Sequence, residues 1–198
     1  MAMSNRNKNP TIETIPPEML YEDVDIQPCF FILSKKSGLM TKVILHTNLG
    51  DIEITLHTDM PITTGNFIKL VDNGFYDNII FHRVIEGFMI QGGCPQGTGM
   101  GGPGYNIQDE FGKGHSNKRG TIAMANTGSP NSGGSQFFIN TVNNTYLDKE
   151  NTSTPYAHPV FGQITKGMNV VDVIEKVPTD RNDVPLSPVI ILKAEVQE

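Results

Sequence analysis

From Lys42 to its end this chain is a series of short apolar runs broken by glycine-rich loops, and that pattern limits what it can fold into. Each run has the length of a strand and is too brief for a long helix. The clearest is Ile52, Ile54 and Leu56, which alternate with Glu53, Thr55 and His57. A period of two puts one face inward and the other toward water. The run 43–47 precedes it, and Asn48-Leu49-Gly50 supplies a turn, so a hairpin is expected. Further strand-like runs fall at 79–84, 88–91, 121–125, 136–140, 160–165 and 189–196. The 20 Gly and 13 Pro among 198 residues fit a fold made of many turns. Two segments read as helices. Thr58 or Asp59 can cap the first, Pro61 suits its first turn, Phe67, Leu70 and Val71 form its apolar face, and Gly74 stops it. The second is expected at 169–177, where Val170, Val173, Ile174 and Val177 share one face. About eight short strands and two helices suggest a mainly β protein, a closed barrel with helices over its open ends.

Residues 1–40 do not share this pattern. The stretch 1–22 is polar, carries Pro10, Pro16 and Pro17, and has no sustained period. It is expected to be a partly flexible N-terminal extension, with 24–33 as an extra strand or an interaction segment. Residues 41–198 are expected to be the folded domain. The formal net charge is -6 and no run of Lys or Arg occurs, which argues against nucleic acid and anionic membrane surfaces as partners. No stretch approaches the roughly 20 apolar residues of a membrane span. Cys29 and Cys94 alone cannot build a disulfide framework or a four-ligand zinc site. A reducing, cytoplasmic setting is expected. His46, His57, His82, His115 and His158 show no metal-ligand spacing, so neither metal nor cofactor is expected.

Several motifs could carry chemistry. Residues 97–102, Gly-Thr-Gly-Met-Gly-Gly, match a dinucleotide fingerprint, but Pro103 and Gly104 follow where a helix should begin. A surface loop that shapes a groove is the better reading. Ser129, Ser132 and Ser135 lack the nucleophile elbow of a hydrolase. The informative segment is FHRVIEGFMIQGG, residues 81–93. An Arg within an apolar strand is unusual. Strand alternation puts Phe81 and Arg83 on one face, with His82 and Val84 on the other, while Met89 and Gln91 share a face in the next strand. An Arg, a Met and a Gln facing one groove would make a peptide site, apolar with a few polar anchors. In GSQFFIN, Gln136 and Phe138 point the same way, and Phe137 and Ile139 point toward the core. Taken alone, Phe138 and His158 read as structural residues.

Together these segments resemble the cyclophilin family. FHRVIEGFMIQGG, GTGMGGPG, MANTG, GSQFFIN, YLD and HPVFG occur in the family's order, and the resemblance runs from about Thr41 to Glu198. It implies an eight-stranded antiparallel closed β-barrel capped by two α-helices, and isomerase activity on Xaa-Pro bonds in support of protein folding. It puts the catalytic Arg at Arg83, with Gln91, Asn126 and His158 beside it. Phe88, Met89, Phe138 and Leu147 would hold the proline ring, and Ala125, Thr127, Gln136 and Tyr146 would complete the groove. The partners implied are proline-containing peptides and unfolded clients, bound by a monomer. The alternative is a proline-peptide-binding or chaperone module that uses the same groove without turnover. Tyr146 stands where many members carry Trp, which implies reduced affinity for cyclosporin-type inhibitors, because an indole offers an N–H and more contact area. The loop 149–157 is longer than in compact members.

Overall fold

The computed structural model describes residues 40–151 and 156–197. The extension expected before residue 40, including the segment 24–33, lies outside the described residues. Among the described residues there are nine antiparallel strands: β1 (Lys42–Thr47), β2 (Gly50–Leu56), β3 (Ile79–Ile80), β4 (Arg83–Ile85), β5 (Met89–Gly92), β6 (Thr121–Met124), β7 (Phe137–Asn140), β8 (Val160–Lys166) and β9 (Ile190–Gln197). Two helices, α1 (Pro61–Asp72) and α2 (Met168–Ile174), accompany them. The sheet runs in the order β3-β9-β1-β2-β8-β6-β7-β5-β4. Its two edge strands, β3 and β4, are consecutive in the chain and separated only by Phe81 and His82. The sheet therefore curls until its edges meet through the backbone, which leaves little edge exposed.

That junction explains why nine strands stand where eight were expected. The run 79–84 forms two short strands, the first paired to β9 and the second to β5. The interruption also resets the alternation. Phe81 and Val84 both enter the main core, while Arg83 pairs across to Gln91 outside it. Phe81 and Arg83 do not share a face, contrary to the strict alternation expected, because Phe81 and His82 lie outside both strands and turn the chain between them.

Tight aromatic contacts fill the barrel. Phe67 of α1 packs edge-on to Phe137 at 5.7 Å, and Tyr76 meets Phe137 at 5.6 Å. Edge-to-face geometry sets the positive rim of one ring against the negative face of the other. The Tyr76 hydroxyl donates to the Ser135 carbonyl at 3.0 Å, so this buried polar atom is satisfied.

The helices depart from expectation at their ends. Neither Thr58 nor Asp59 caps α1. Met60 holds the cap position without a side-chain bond, and Glu110 of a distant loop accepts the N–H groups of Ile62 and Thr63 at 2.9 and 3.0 Å. A carboxylate at this end also opposes the helix dipole favourably. Helix α2 stops at Ile174, three residues short of the expected end at Val177, and Val173 faces solvent. Tight-turn hydrogen bonds from Lys176 to Val173 and from Val177 to Ile174 replace its last turn.

Candidate active site

The strands carry two apolar clusters, one on each face. Ile90, Ile122, Phe137, Ile139 and Phe161 point into the barrel. Their neighbours Met89, Ala123, Phe138 and Val160 point outward and form a second cluster with Leu147. Phe88, Ala125 and Ile85 pack against that cluster and are partly exposed. An ordinary half-buried sheet would put polar residues there. An apolar cluster on the outer face of a barrel, with its rim partly open, is a candidate binding surface.

Register fixes what borders it. Arg83 lies opposite Gln91, Gln91 opposite Phe138, Phe138 opposite Ala123, and Ala123 opposite Val160. Directly opposed residues project to the same side, about 5 Å apart. The row therefore begins with a cation, passes a carboxamide and ends in apolar side chains. The Arg83 side chain is 43% exposed, and its Nε stands 3.6 Å from an Asp183 carboxylate oxygen.

The polar neighbours are held firmly. The Gln91 Nε2 donates to Gln136 Oε1 at 3.0 Å, and the Gln136 amide donates to the carbonyls of Gly99 and Gly101, both at 2.8 Å. The glycine-rich loop thus buttresses the site through Gln136. Asn126 donates to the Ala157 carbonyl at 2.8 Å and accepts from the Gly128 N–H at 3.0 Å. The His158 ring meets Phe138 edge-on at 5.2 Å, and its Nδ1 lies 3.1 Å from the Met124 carbonyl. A carbonyl only accepts, so Nδ1 carries the proton and Nε2 keeps its lone pair. Burial pushes the His158 pKa below its usual value, which keeps the ring neutral near pH 7. Tyr146 stacks on Phe88 at 6.3 Å.

A cavity of about 590 Å³ adjoins the row. Of the residues expected at the site, Gln91, Ala125, Asn126, Thr127 and Gln136 line it. Arg83, Phe88, Met89, Phe138, Tyr146, Leu147 and His158 are not part of its wall. The apolar cluster meets this cavity at Ala125, which packs on the one and lines the other. Among the described residues no group of three His, Cys, Asp or Glu side chains is placed to hold a metal ion, and no helix is long and apolar enough to cross a membrane.

Sequence reasoning missed the supports behind these side chains. Asp148 accepts from the Ser116 hydroxyl and from both the backbone and the amide of Asn117, and the Asn117 carbonyl accepts from the Asn144 N–H at 2.7 Å. This clasp anchors the 3-10 turn Thr145–Leu147 that presents Leu147. A turn sequence of Asn, Thr and Asp hints at side-chain-to-backbone bonding, but it does not name a partner some 30 residues away.

An outward apolar row headed by an arginine, on an antiparallel barrel with two helices, defines a mainly β protein with a candidate groove on its outer face. The comparisons with known proteins are specific. Residues 42–196 match the family model described as "Cyclophilin type peptidyl-prolyl cis-trans isomerase/CLD". The chain belongs to this family. It is 45% identical over 173 residues to a "Peptidyl-prolyl cis-trans isomerase" of Acinetobacter baylyi, covering 84% of this chain and 90% of that one. It is 48% identical over 168 residues to "Peptidyl-prolyl cis-trans isomerase CYP71" of Arabidopsis thaliana, covering 82% of this chain but 25% of that protein. A relative from Rhizopus delemar is likewise matched over 25% of its length, at 43% identity. So this chain spans about a quarter of those two relatives. Among solved structures, a cyclophilin type isomerase of Cryptosporidium parvum, crystallised in the presence of the dipeptide Ala-Pro, superposes with a TM-score of 0.72. That pair is 34% identical and covers 79% of this chain and 99% of the other.

Proposed function

We propose that the protein accelerates cis–trans rotation about Xaa-Pro peptide bonds, with Arg83 as the catalytic group. The observation that carries the reading is the row Arg83–Gln91–Phe138, a cation and an amide beside an apolar surface. A planar prolyl amide resists rotation with a barrier of about 18–20 kcal/mol. At the twisted transition state conjugation is lost, and the prolyl nitrogen regains a lone pair. A fixed guanidinium bonds that nitrogen only in the twisted form, which is the differential binding that speeds a reaction. Arg suits this role because it stays charged and offers several donors in one plane. The proline ring rests on Phe88, Met89, Phe138 and Leu147 while the preceding carbonyl swings. Gln91, Asn126 and His158 hold the flanking backbone, and Ala125, Thr127 and Gln136 line the adjoining groove.

The substrates on this reading are proline-containing peptides and unfolded clients, and the protein acts as a monomer in the cytoplasm. Residues 41–198 form the isomerase domain and 1–40 an extension to it. Tyr146 replaces an indole and weakens cyclosporin-type inhibitors, since a phenol beside Phe88 offers less contact area. Arg83→Ala tests the assignment. It is expected to lower kcat/KM on a short Ala-Pro peptide by about 100-fold or more, the scale of losing one transition-state donor, with the fold intact by circular dichroism. Arg83→Lys is expected to be poor as well. Activity equal to the unmodified protein in Arg83→Ala would remove the assignment.

A further inference from the structure

Asp183 sits in the loop 178–187 between α2 and β9, and this loop is tied to itself. Thr179 bridges to Pro185, the Asp180 N–H donates to the Val184 carbonyl at 2.9 Å, and the Asp180 carboxylate accepts from the Asn182 and Val184 N–H groups at 2.8 and 3.0 Å. Within this turn Asp183 has φ +64, left-handed backbone that Asp and Asn adopt more readily than other non-glycine residues. Its carbonyl accepts from the Val84 N–H at 2.8 Å, which pins the loop to β4 at the residue after Arg83. That N–H lies on the edge of β4 away from β5, because β4 pairs on one side only. Its carboxylate stands 3.6 Å from Arg83 Nε, the one carboxylate within 4.0 Å of this guanidinium among the described residues.

The distance is too long for a good hydrogen bond and short enough for a Coulomb tether. The tether acts on the nitrogen nearest the stem. Among the described residues no protein hydrogen bond occupies either terminal nitrogen of the guanidinium, and Gln91 lies across the β4–β5 pair from Arg83. A free arginine must give up much rotamer freedom when it grips a twisted amide. A partner that restricts it beforehand lowers that cost in the transition state. Resting on the reading of Arg83 as the catalytic group, we propose that Asp183 is a positioning residue that holds the stem side of the Arg83 guanidinium, so that its terminal nitrogens meet the prolyl amide.

Two variants test this on the full chain. Asp183→Asn keeps the side-chain shape and tolerates left-handed backbone, and Asp183→Gly relieves that backbone outright. Both are expected to melt at or above the temperature of the unmodified protein, since an exposed ion pair adds little stability. Both are expected to lose about fivefold in kcat with KM unchanged, the pattern of an interaction made only in the transition state. The Arg83 Nε–H resonance should shift in both. Raising salt from about 0.02 to about 0.5 M should slow the unmodified protein toward Asp183→Asn and leave Asp183→Asn unaffected. Unchanged kcat in both variants, with Arg83→Ala inactive, overturns the positioning role and leaves the Arg83 assignment standing. A parallel fall of melting temperature and activity, with the salt response retained in Asp183→Asn, overturns it in favour of a structural role. Full activity in Arg83→Ala overturns the assignment on which it rests.

Discussion

Phe138 shows how much depends on which side of a strand a residue faces. Its neighbours Phe137 and Ile139 are fully buried in the barrel, while Phe138 is 5% exposed within the outer cluster. Low exposure alone would class all three as core. The pairing Gln91–Phe138–Ala123 separates it from them. Its contacts with Met89, Leu147 and the edge of His158 make a firm platform. Phe138→Ala is therefore expected to cost about 3 kcal/mol in urea denaturation, as for a buried phenylalanine. It should also raise KM for Ala-Pro peptides by several-fold, because on the proposed reading the platform and the binding surface are the same atoms. A stability loss with KM unchanged would show that Phe138 is packing only.

The first helix illustrates how an element can be legible in its body and hidden at its end. Pro61, the Phe67, Leu70 and Val71 face and the Gly74 stop all read directly from the sequence, since each works through local geometry. The cap did not, because Glu110 lies 48 residues away from Ile62. Glu110→Ala is expected to cost about 1 kcal/mol and to speed hydrogen exchange at the Ile62 and Thr63 amides ahead of the rest of α1. Exchange unchanged at those two amides would refute the cap. The same contrast applies to the site. The two-residue period of the strands put Met89 with Gln91 and Gln136 with Phe138, while the resemblance to the cyclophilin family, and not the period, gave Arg83, Gln91, Gln136 and Phe138 their places in the expected site. Strict alternation put Phe81 on the same face as Arg83, which the break at Phe81 and His82 between β3 and β4 undoes. Asp183 and the Asp148 clasp were invisible, since the contacts that matter cross long stretches of chain.

Over the whole molecule, buried histidines link stability to acidity. Burial pushes His57, His82 and His158 below the usual 6.5, with the neighbouring His115 adding to the effect at His57 and the Arg83 cation adding at His82. A group depressed on folding takes up its proton more readily when unfolded, so its contribution is complete above pH 6.5 and is lost as pH falls through the folded value. His46 works the other way, raised by its Asp51 hydrogen bond, but it sits at the surface where solvent screens the pair. Three groups against one predict a melting temperature that falls between pH 7.5 and pH 5.5, with a shallower fall in His57→Gln. A melting temperature that holds steady or rises over this range would contradict the burial argument. His57 stacks on His115 with ring centroids 3.9 Å apart, and His115 directly precedes Ser116 and Asn117, which bind Asp148. On the proposed reading the barrel as a whole holds one cation beside an outward apolar row. The direct test is exchange spectroscopy on an Ala-Pro peptide with protein at about one-hundredth of its concentration. Line broadening of the cis and trans signals by the unmodified protein, absent with folded Arg83→Ala, is the predicted result. Equal broadening by both, or none by either, would contradict the account.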